Sequence, residues 1–376
     1  MTEAIGRTTE LCLLDERSDI TLTTDLRQPQ YRREVFLRFY EFHLRYRAHP
    51  GCVYYIMPAL VDRLDMSQEE KLWFAYINGN SQNPVMTYLI FNKYRSADDF
   101  LYFGGAEWFN SKWDRWGWDT DRRYQKKDFP KNVEWYAGMG AAEPVFEELA
   151  GDTFQHAWKS VRKFPTFGRL SAFSYMEYLR IMGVPLDCND LFLEDMDGSR
   201  SHRNGLAKVL GRDDLDFADK KVKPTYALGQ LDWLKEEAEL LLAESQKRFK
   251  GRDFSHDVTY FTLESTFCTY KSWHRENRRY ANVYNDMLHD RIRWAEAKWP
   301  EVDFSIFWDI RRQVLPKPLR LEDNPGDVGV KPEKQNHYRE TGRTPMLGYL
   351  FPEMWSEYDT KVQGKSQEEW WKQPDR

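Results

Sequence analysis

A short turn between two helical segments is the feature that most restricts how this chain can fold. The turn is FPTFGR, residues 164–169, in which Pro165 fixes its own φ and disfavours helix at Phe164. Gly168 permits a positive φ or the close approach of another backbone. Beyond the turn, apolar residues recur at helical spacing, namely Leu170, Phe173, Tyr175, Met176, Leu179 and Met182. The pattern predicts a helical hairpin over residues 159–182, with the first amides of its second helix facing outward toward a possible phosphate.

The turn resembles the helix-hairpin-helix motif of DNA glycosylases, which in that superfamily holds the DNA backbone and is followed by a catalytic acid. Arg169 lies beside the outward amides. Asp187 follows Gly168 by 19 residues, and Asp190 follows it by 22. The same residues also fit an ordinary turn between two core helices, so this stretch alone leaves both interpretations open.

No segment alternates apolar and polar residues as a β-strand does, so we predict a mostly α fold with a multi-helix, DNA-glycosylase-like architecture. Ser67 and Glu70 predict a capping box, and the helix after them is expected to end at Asn78-Gly79-Asn80. Pro84 is expected to start the next helix. We predict three parts of the chain. Residues 1–28 form a polar N-terminal segment, and residues 29–315 form a helical catalytic and DNA-binding domain with room for two lobes. Residues 316–376 form a proline-rich tail.

Charge and cysteine usage limit the function classes. The formal net charge of −5 excludes a uniformly basic protein, so any DNA contact must come from local basic patches. Four widely spaced cysteines do not form a zinc or disulfide framework and favour a reducing cytoplasm. The sequence has no signal-peptide core and no run of about 18 apolar residues, so we expect no membrane association. The acids are too scattered for a recognisable metal-ligand set, and no cofactor is expected.

One basic patch is rich in tryptophan. Between Lys112 and Lys131 there are seven basic and four acidic residues, against the acidic average of the chain. Aromatic rings beside cations are suited to a nucleic-acid strand. The alternative is a tryptophan-rich helix corner with a solvated charged face. The residues that carry the DNA-binding interpretation are Trp113, Trp116, Trp118, Arg122, Arg123, Lys126 and Lys127.

Two further segments contain candidate site residues. Residues 199–205 combine hydroxyls, cations and His202 ahead of a short apolar helix, which suits either an oxyanion site or an ordinary helix cap. Residues 261–299 form a second basic block, in which Glu264, Cys268 and Lys271 are spaced to share one side of a helix. Glu264 with Lys271 fits a structural pair as well as a catalytic one, and Cys268 fits a small core residue.

The order of these blocks resembles the bacteriophage amino acid:DNA transferases, also called alpha-glutamyl/putrescinyl thymine pyrophosphorylases, a family related to helix-hairpin-helix glycosylases. Four blocks carry the resemblance: KLWFAYINGN, DTDRRYQKKDFPKNVEWY, FPTFGRLSAFSYMEYL with DCNDL, and LESTFCTYKSWHRENRRYANVYNDMLHDRI. They lie within residues 67–293. The segment GRDDLDFADKKVKP and the proline-rich tail match nothing in this pattern.

The resemblance implies a reaction on double-stranded DNA that contains 5-hydroxymethyluracil. A kinase phosphorylates the hydroxymethyl group, and the transferase replaces the phosphate or pyrophosphate with an amine such as glycine, glutamate or putrescine. The expected partners are therefore modified DNA, a small amine or amino acid and, functionally, a 5-hydroxymethyluracil DNA kinase. The expected location is the cytoplasm of an infected bacterial cell.

Physical requirements assign candidate residues to that reaction. The nucleotide must leave the base stack, and an exposed tryptophan could fill the gap. The amine must lose a proton to a carboxylate or imidazole, for which the candidates are Asp187, Asp190, Glu264 and His202. The candidates for phosphate and DNA contacts add Gly168, Arg169, Arg200 and Lys271 to the basic patch. The candidates for binding an amino acid are Arg278, Arg279 and Tyr280.

Two other functions remain open from the sequence. A base-excision glycosylase would use the same hairpin with an acid near Asp187 or Asp190, although no Schiff-base lysine directly follows the hairpin and no Cys-rich iron–sulfur run occurs. A non-enzymatic DNA-binding module would use the hairpin and the tryptophans alone. The absence of a glycine-rich phosphate loop after a strand disfavours a dinucleotide enzyme.

Overall fold

The described part of the chain is built from α-helices and contains no strand, which confirms the predicted mostly α fold. The computed structural model describes residues 20–21, 24–119, 123–138, 154–196, 199–219, 221–276, 279–323, 329–342 and 350–351. None of the helices in these ranges is long and apolar enough to cross a membrane.

Fifteen helices occur within these ranges. They are α1 Pro29–Arg45, α2 Val53–Arg63, α3 Gln68–Ser81, α4 Pro84–Lys93, α5 Ala97–Tyr102, α6 Gly105–Ser111, α7 Arg123–Gly138, α8 Phe154–Val161, α9 Arg169–Ile181, α10 Ser201–Val209, α11 Gln230–Arg248, α12 Tyr260–Trp273, α13 Val283–Lys298, α14 Ser305–Val314 and α15 Pro332–Thr341. Helices α8 and α9 correspond to the two predicted helical segments on either side of the FPTFGR turn.

The start of α3 confirms a prediction and its end corrects one. The Glu70 amide donates to Ser67 Oγ at 3.2 Å and the Ser67 amide donates to Glu70 Oε2 at 2.8 Å, which is the predicted capping box. The helix does not end at Asn78-Gly79-Asn80, because it continues to Ser81. Gly79 has a packing role instead, since a Cβ at this position would lie 2.6 Å from Cζ of Phe167 in the hairpin turn.

The apolar side chains form two clusters that meet at α12. The first cluster is formed mainly by α2 to α9 with α13 and α14, and the second by α1, α10, α11 and α12 with residues near the C-terminus. Phe261 belongs to the first cluster, whereas Leu263 and Phe267 belong to the second. Helix α12 is buried on nearly all sides, as expected for a helix enclosed by others.

Helices α10 and α12 approach each other at a glycine. A Cβ at Gly205 would lie 2.3 Å from the carbonyl oxygen of Phe267, so only glycine allows this backbone contact. Segment 199–205 is therefore partly used for helix packing, and α10 begins at Ser201. Helix α15 packs against the same half of the protein through Tyr338, whose ring centroid is 4.9 Å from that of Trp273.

Candidate active site

The hairpin turn is supported by α7. The amide nitrogen Nε2 of Gln125 donates to the Thr166 carbonyl at 3.1 Å, and Nδ2 of Asn132 donates to Thr166 Oγ1 at 3.2 Å. Thr166, with φ of 65°, is the turn residue in the left-handed region. Gly168 has φ of −73°, so it does not need the conformational freedom of glycine, but it is exposed and a Cβ there would meet nothing within 4 Å. Space beside the first amides of α9 is therefore open to a ligand.

The outer face of α7 carries cations and aromatic rings. Tyr124, Lys127, Lys131 and Trp135 are exposed and follow one another at helical spacing, and we call this face the lysine stripe. It adjoins the hairpin, because the ring centroids of Trp135 and Phe164 are 5.8 Å apart. The stripe thus lies next to the hairpin turn.

Of the three tryptophans predicted to contact DNA, Trp113 alone is well exposed, at 42%. The Lys126 ammonium lies 4.2 Å from its ring centroid and donates to its carbonyl at 2.6 Å. Trp116 and Trp118 are buried, which corrects their prediction as base-stacking residues. Trp116 stacks on Phe109 at 4.8 Å, so its ring is part of the core.

Arg169 is also buried, and this placement corrects its predicted contact with DNA. Its guanidinium is fully enclosed and donates to Glu264 Oε1 at 2.9 Å and to the Leu191 carbonyl at 2.7 Å. The side chain extends inward and connects the start of α9 to α12. A buried ion pair needs both partners, so Arg169 is not placed to contact a phosphate, and Glu264 is not placed to take a proton from an amine.

Next to this pair is an acid that the sequence analysis missed. Glu177 on α9 is buried, and Tyr54 donates to its Oε1 at 3.0 Å. Burial raises the pKa of Glu177 to about 8, and the nearby Glu264 carboxylate acts in the same direction. The sequence could have indicated this buried acid, because Glu177 is the single charged residue in the apolar stretch 170–179.

His202 and Lys271 are buried as well. Burial lowers the pKa of His202 well below its usual value, and the positive charges of Arg169 and Arg203 add to this effect. Lys271 donates to the Cys268 carbonyl at 3.1 Å, and its Nζ lies 3.6 Å from Cys268 Sγ. Burial also lowers the pKa of the Lys271 ammonium. With both groups enclosed, the predicted DNA contact of Lys271 and the predicted base role of His202 lack the required access.

The two acids after the hairpin, Asp187 and Asp190, do not have the surroundings expected of a catalytic base. The Asp187 side chain is 93% exposed and lies 3.5 Å from Arg180, so it lacks the sheltered environment of a general base. Asp190 accepts the Phe192 amide at 2.9 Å and stabilises the loop that follows α9. Among the described residues, no group of three or more His, Cys, Asp or Glu side chains could hold a metal ion.

The remaining predicted phosphate ligands are only partly described. Arg200 donates to the carbonyls of Phe217, Asp219 and Val222, so it holds the loop before α11. Arg122 and Arg278 lie outside the described residues, and Arg123 starts α7 with a side chain that also lies outside them.

A cavity of about 380 Å³ lies beside the N-terminal half of α13. Its lining residues are Arg279, Val283, Met287, Asp290, Arg291, Val330 and Gln335. Arg279, a predicted amino-acid ligand, has its Cζ 4.6 Å from the ring centroid of Tyr284. Tyr280, another predicted amino-acid ligand, is buried and donates to Asp286 at 2.5 Å, so its hydroxyl is occupied in the interior.

Arg291 was not predicted from the sequence. Its Nη2 lies 3.0 Å from Oδ2 of Asp119, at the end of the tryptophan-rich segment. The two residues are 172 positions apart in the chain, so spacing alone could not associate them. Asp119 in turn is positioned by its amide, which donates to the Ser81 carbonyl at 3.2 Å.

The structure brings the four sequence blocks into contact. Gly79 of the first block packs on Phe167 of the third, and the carbonyl of Ser81, the residue directly after the first block, accepts the amide of Asp119 in the second. The fourth block joins the second through Arg291 with Asp119, and the third through Glu264 with Arg169. Hairpin, lysine stripe and arginine-lined cavity are therefore parts of one assembly.

Known proteins match the same region. The family model described as "Amino acid:DNA transferase" matches residues 49–278. The serinyltransferase of Salmonella phage ViI is 31% identical in an alignment of 298 residues that covers 73% of this chain and 71% of the relative. No solved structure matches the chain. Both matches agree with the resemblance drawn from the four blocks.

Proposed function

The chain belongs to the amino acid:DNA transferase family, and we propose that it joins an α-amino acid to phosphorylated 5-hydroxymethyluracil in phage DNA, with loss of phosphate or pyrophosphate. Membership of this family identifies the protein as a transferase that acts on DNA. The observation that carries the finer proposal is the arginine-lined cavity, which is linked to the hairpin and the lysine stripe by the contacts among the four blocks.

The hairpin and the lysine stripe are the proposed DNA-binding surface. Backbone amides at the start of α9 have open space in front of Gly168, and a phosphate in that space would be favoured by the helix dipole. Lys127 and Lys131 supply charge for neighbouring phosphates. Trp113, with Lys126 against its ring, is the exposed aromatic residue best suited to stack on a displaced base.

The cavity is the proposed amino-acid site. Arg279 has a planar guanidinium that can bind a carboxylate with two hydrogen bonds. Asp290 supplies a negative charge on the same wall, so the cavity offers opposite charges to the two ends of a zwitterion. Val283, Met287 and Val330 provide apolar contact for the side chain. The cavity volume of about 380 Å³ lies in the range of small-molecule sites.

The reaction is a displacement at the 5-methylene carbon. A bond forms between this carbon and the amine nitrogen, and the bond to the phosphate oxygen breaks with its electron pair leaving on that oxygen. The departing phosphate gains charge, which cations near the DNA surface such as Lys126 would stabilise. Because the base is enclosed in a duplex, the nucleotide must rotate out of the stack before the amine can reach it.

The decisive experiment uses duplex DNA with phosphorylated or pyrophosphorylated 5-hydroxymethyluracil and a mixture of amino acids and diamines. Mass spectrometry of the nucleosides after digestion is expected to show an amino-acid adduct of thymidine. The control is the same duplex with unphosphorylated 5-hydroxymethyluracil, which has no adequate leaving group and should give no adduct. Abasic sites with released base would instead support a glycosylase, and binding without any product would support a DNA-binding module.

A consequence for the cell follows from the substrate chemistry. The phosphorylated base has to be made by a kinase that acts on 5-hydroxymethyluracil in DNA, so we propose that the two enzymes work in succession on phage DNA in the host cytoplasm. A reaction started from 5-hydroxymethyluracil duplex should give the adduct when such a kinase and ATP are added, and no adduct without them.

A further inference from the structure

The proposed reaction needs a group that takes a proton from the amine, and the acids predicted for this task do not line the cavity. Asp187 is exposed to solvent, and Asp190 binds a backbone amide in its own loop. Glu264 is occupied by the buried Arg169, and His202 is enclosed in the core. An amino acid is protonated near neutral pH, so a base at the cavity is still required.

We infer that Asp119 is the catalytic base for the amine, an inference that rests on the proposed function. Its Oδ2 lies 3.0 Å from Nη2 of Arg291, and Arg291 lines the cavity. The Asp119 side chain is 24% exposed, so it is accessible in a way that Glu264 is not. Its amide is held by the Ser81 carbonyl, which keeps the carboxylate at this position.

Asp290 lines the cavity itself, and its contacts give it a structural task. Its Oδ2 accepts the Val330 amide at 3.2 Å, and its Oδ1 lies 3.1 Å from His289 Nδ1. Gly329, in the left-handed region with φ of 56°, also packs on this carboxylate, where a Cβ would lie 2.9 Å from both oxygens. Asp290 therefore attaches the C-terminal segment to α13 and forms the cavity wall.

The pairing with Arg291 connects substrate binding to activation of the base. Burial lowers the pKa of Arg291, while the charge of Asp119 acts in the opposite direction, so this desolvated cation requires an anionic neighbour. The carboxylate of an incoming amino acid can take that place together with Arg279. Asp119 is then released toward the amine at the moment when the amine arrives. The positive charge of Arg279 also lowers the pKa of Arg291, whereas Cys52 and Tyr284 act in the same direction as Asp119.

In the proposed step, Asp119 takes one proton from the amine and passes it to the departing phosphate. The ammonium group transfers one proton to Asp119, and the nitrogen lone pair attacks the 5-methylene carbon. The phosphate leaves with the electron pair of the broken C–O bond and takes up the proton from Asp119 directly or through water. The product nitrogen keeps its remaining two protons as a secondary ammonium, and the carboxylate of Asp119 is regenerated.

Asp119→Asn tests the assignment because asparagine keeps the shape and the contact with Arg291 but cannot accept the proton. We expect kcat for the adduct to fall by about 100-fold or more at neutral pH, the usual contribution of general base catalysis, with a small change in the KM for the amino acid. Rising pH should restore the activity of the variant, because the amine then loses its proton to water. A matched control is Asp214→Asn, which also removes an acid paired with an arginine, but that arginine, Arg212, does not line the cavity.

The outcomes separate this inference from the proposed function. If the wild-type protein yields no adduct from any amine, the proposed function itself fails. If the wild type transfers the amine and Asp119→Asn retains its kcat, or loses it without recovery at high pH, Asp119 is not the base. Asp119→Asn leaves Arg291 without its anionic partner, so its unfolding temperature is expected to fall. The kcat values are therefore compared at a temperature where circular dichroism shows both proteins folded, which excludes loss of the fold as the cause.

Discussion

The guanidinium of Arg169 and the carboxylate of Glu264 meet at 2.9 Å in the interior, with side chains 0% and 5% exposed. The pair joins the first residue of α9 to the central helix α12, so it fixes the hairpin to the core of the protein. The pair also explains why Arg169, although it belongs to the turn sequence, has no access to DNA.

Replacing Arg169 should damage the fold rather than DNA binding alone. Arg169→Met leaves the Glu264 carboxylate buried without its partner, which is expected to cost about 3–5 kcal/mol of unfolding free energy. Urea unfolding followed by circular dichroism measures this cost. Lys163→Met is the control, since Lys163 is exposed in the same turn and should change stability little. A folded, equally stable Arg169→Met protein with weak DNA binding would show that the guanidinium contacts DNA after all.

The contact between α10 and α12 predicts a strong effect of a single methyl group. Gly205→Ala places a Cβ against the Phe267 carbonyl, where neither helix can move without disturbing the core, and a loss of about 1–3 kcal/mol or more is expected. Gly138→Ala is the matched control, because a Cβ at the end of α7 meets nothing within 4 Å. Equal denaturation midpoints for the two variants would contradict this packing.

The lysine stripe predicts a change in the salt dependence of DNA binding. Lys127→Ala and Lys131→Ala should each weaken binding and reduce the slope of log K against log salt by about 0.9, the value for one phosphate contact on B-DNA. Fluorescence anisotropy at several salt concentrations measures both quantities. Lys247→Ala, at an exposed position on α11, should leave the slope unchanged. An unchanged slope in the stripe variants would move the DNA-binding surface elsewhere.

His49 predicts a loss of stability in acid. It is fully buried, its Nδ1 lies 3.0 Å from Ser265 Oγ, and burial lowers its pKa to about 3. The unfolded chain has a histidine pKa near 6.5, so between about 6.5 and 3 the unfolded state binds more protons. Stability from this group is complete above the unfolded pKa and falls as the pH is lowered toward the folded one.

The expected size of the His49 effect is about 2 kcal/mol at pH 5, since each pH unit below the unfolded pKa costs about 1.4 kcal/mol. Urea unfolding at pH 7.5 and pH 5 measures it. His49→Asn keeps a polar atom near Ser265 without the titration, so its stability should depend less on pH over this interval. A wild-type and a variant protein with the same pH dependence would exclude His49 as a source of acid sensitivity.

Local features were predictable because neighbouring residues determine them. The capping box of Ser67 and Glu70, the helix start at Pro84 and the two helices around FPTFGR depend on interactions within a few residues. The absence of strand-like alternation was sufficient to predict a mostly α fold. The order of the four blocks was sufficient to indicate the family that the matches to known proteins support.

The direction of individual side chains was not predictable. Trp116, Trp118 and Arg169 have the residue types of a DNA-binding surface, yet all three are buried. A residue type sets what a side chain can do, whereas its exposure depends on which distant helices cover it. For Arg169 the deciding residue is Glu264, which is 95 positions away in the chain.

By itself the sequence determined several helix boundaries, such as the starts at Ser67 and Pro84, because capping, proline geometry and apolar spacing act over a few residues. Only the tertiary structure decided which parts of the turn and its surroundings face a ligand. The FPTFGR turn has open space at Gly168, while its Arg169 enters the core. The cavity likewise combines Arg279, Arg291 and Val330, which come from remote segments of the chain. These segments pack together because packing buries their apolar surface.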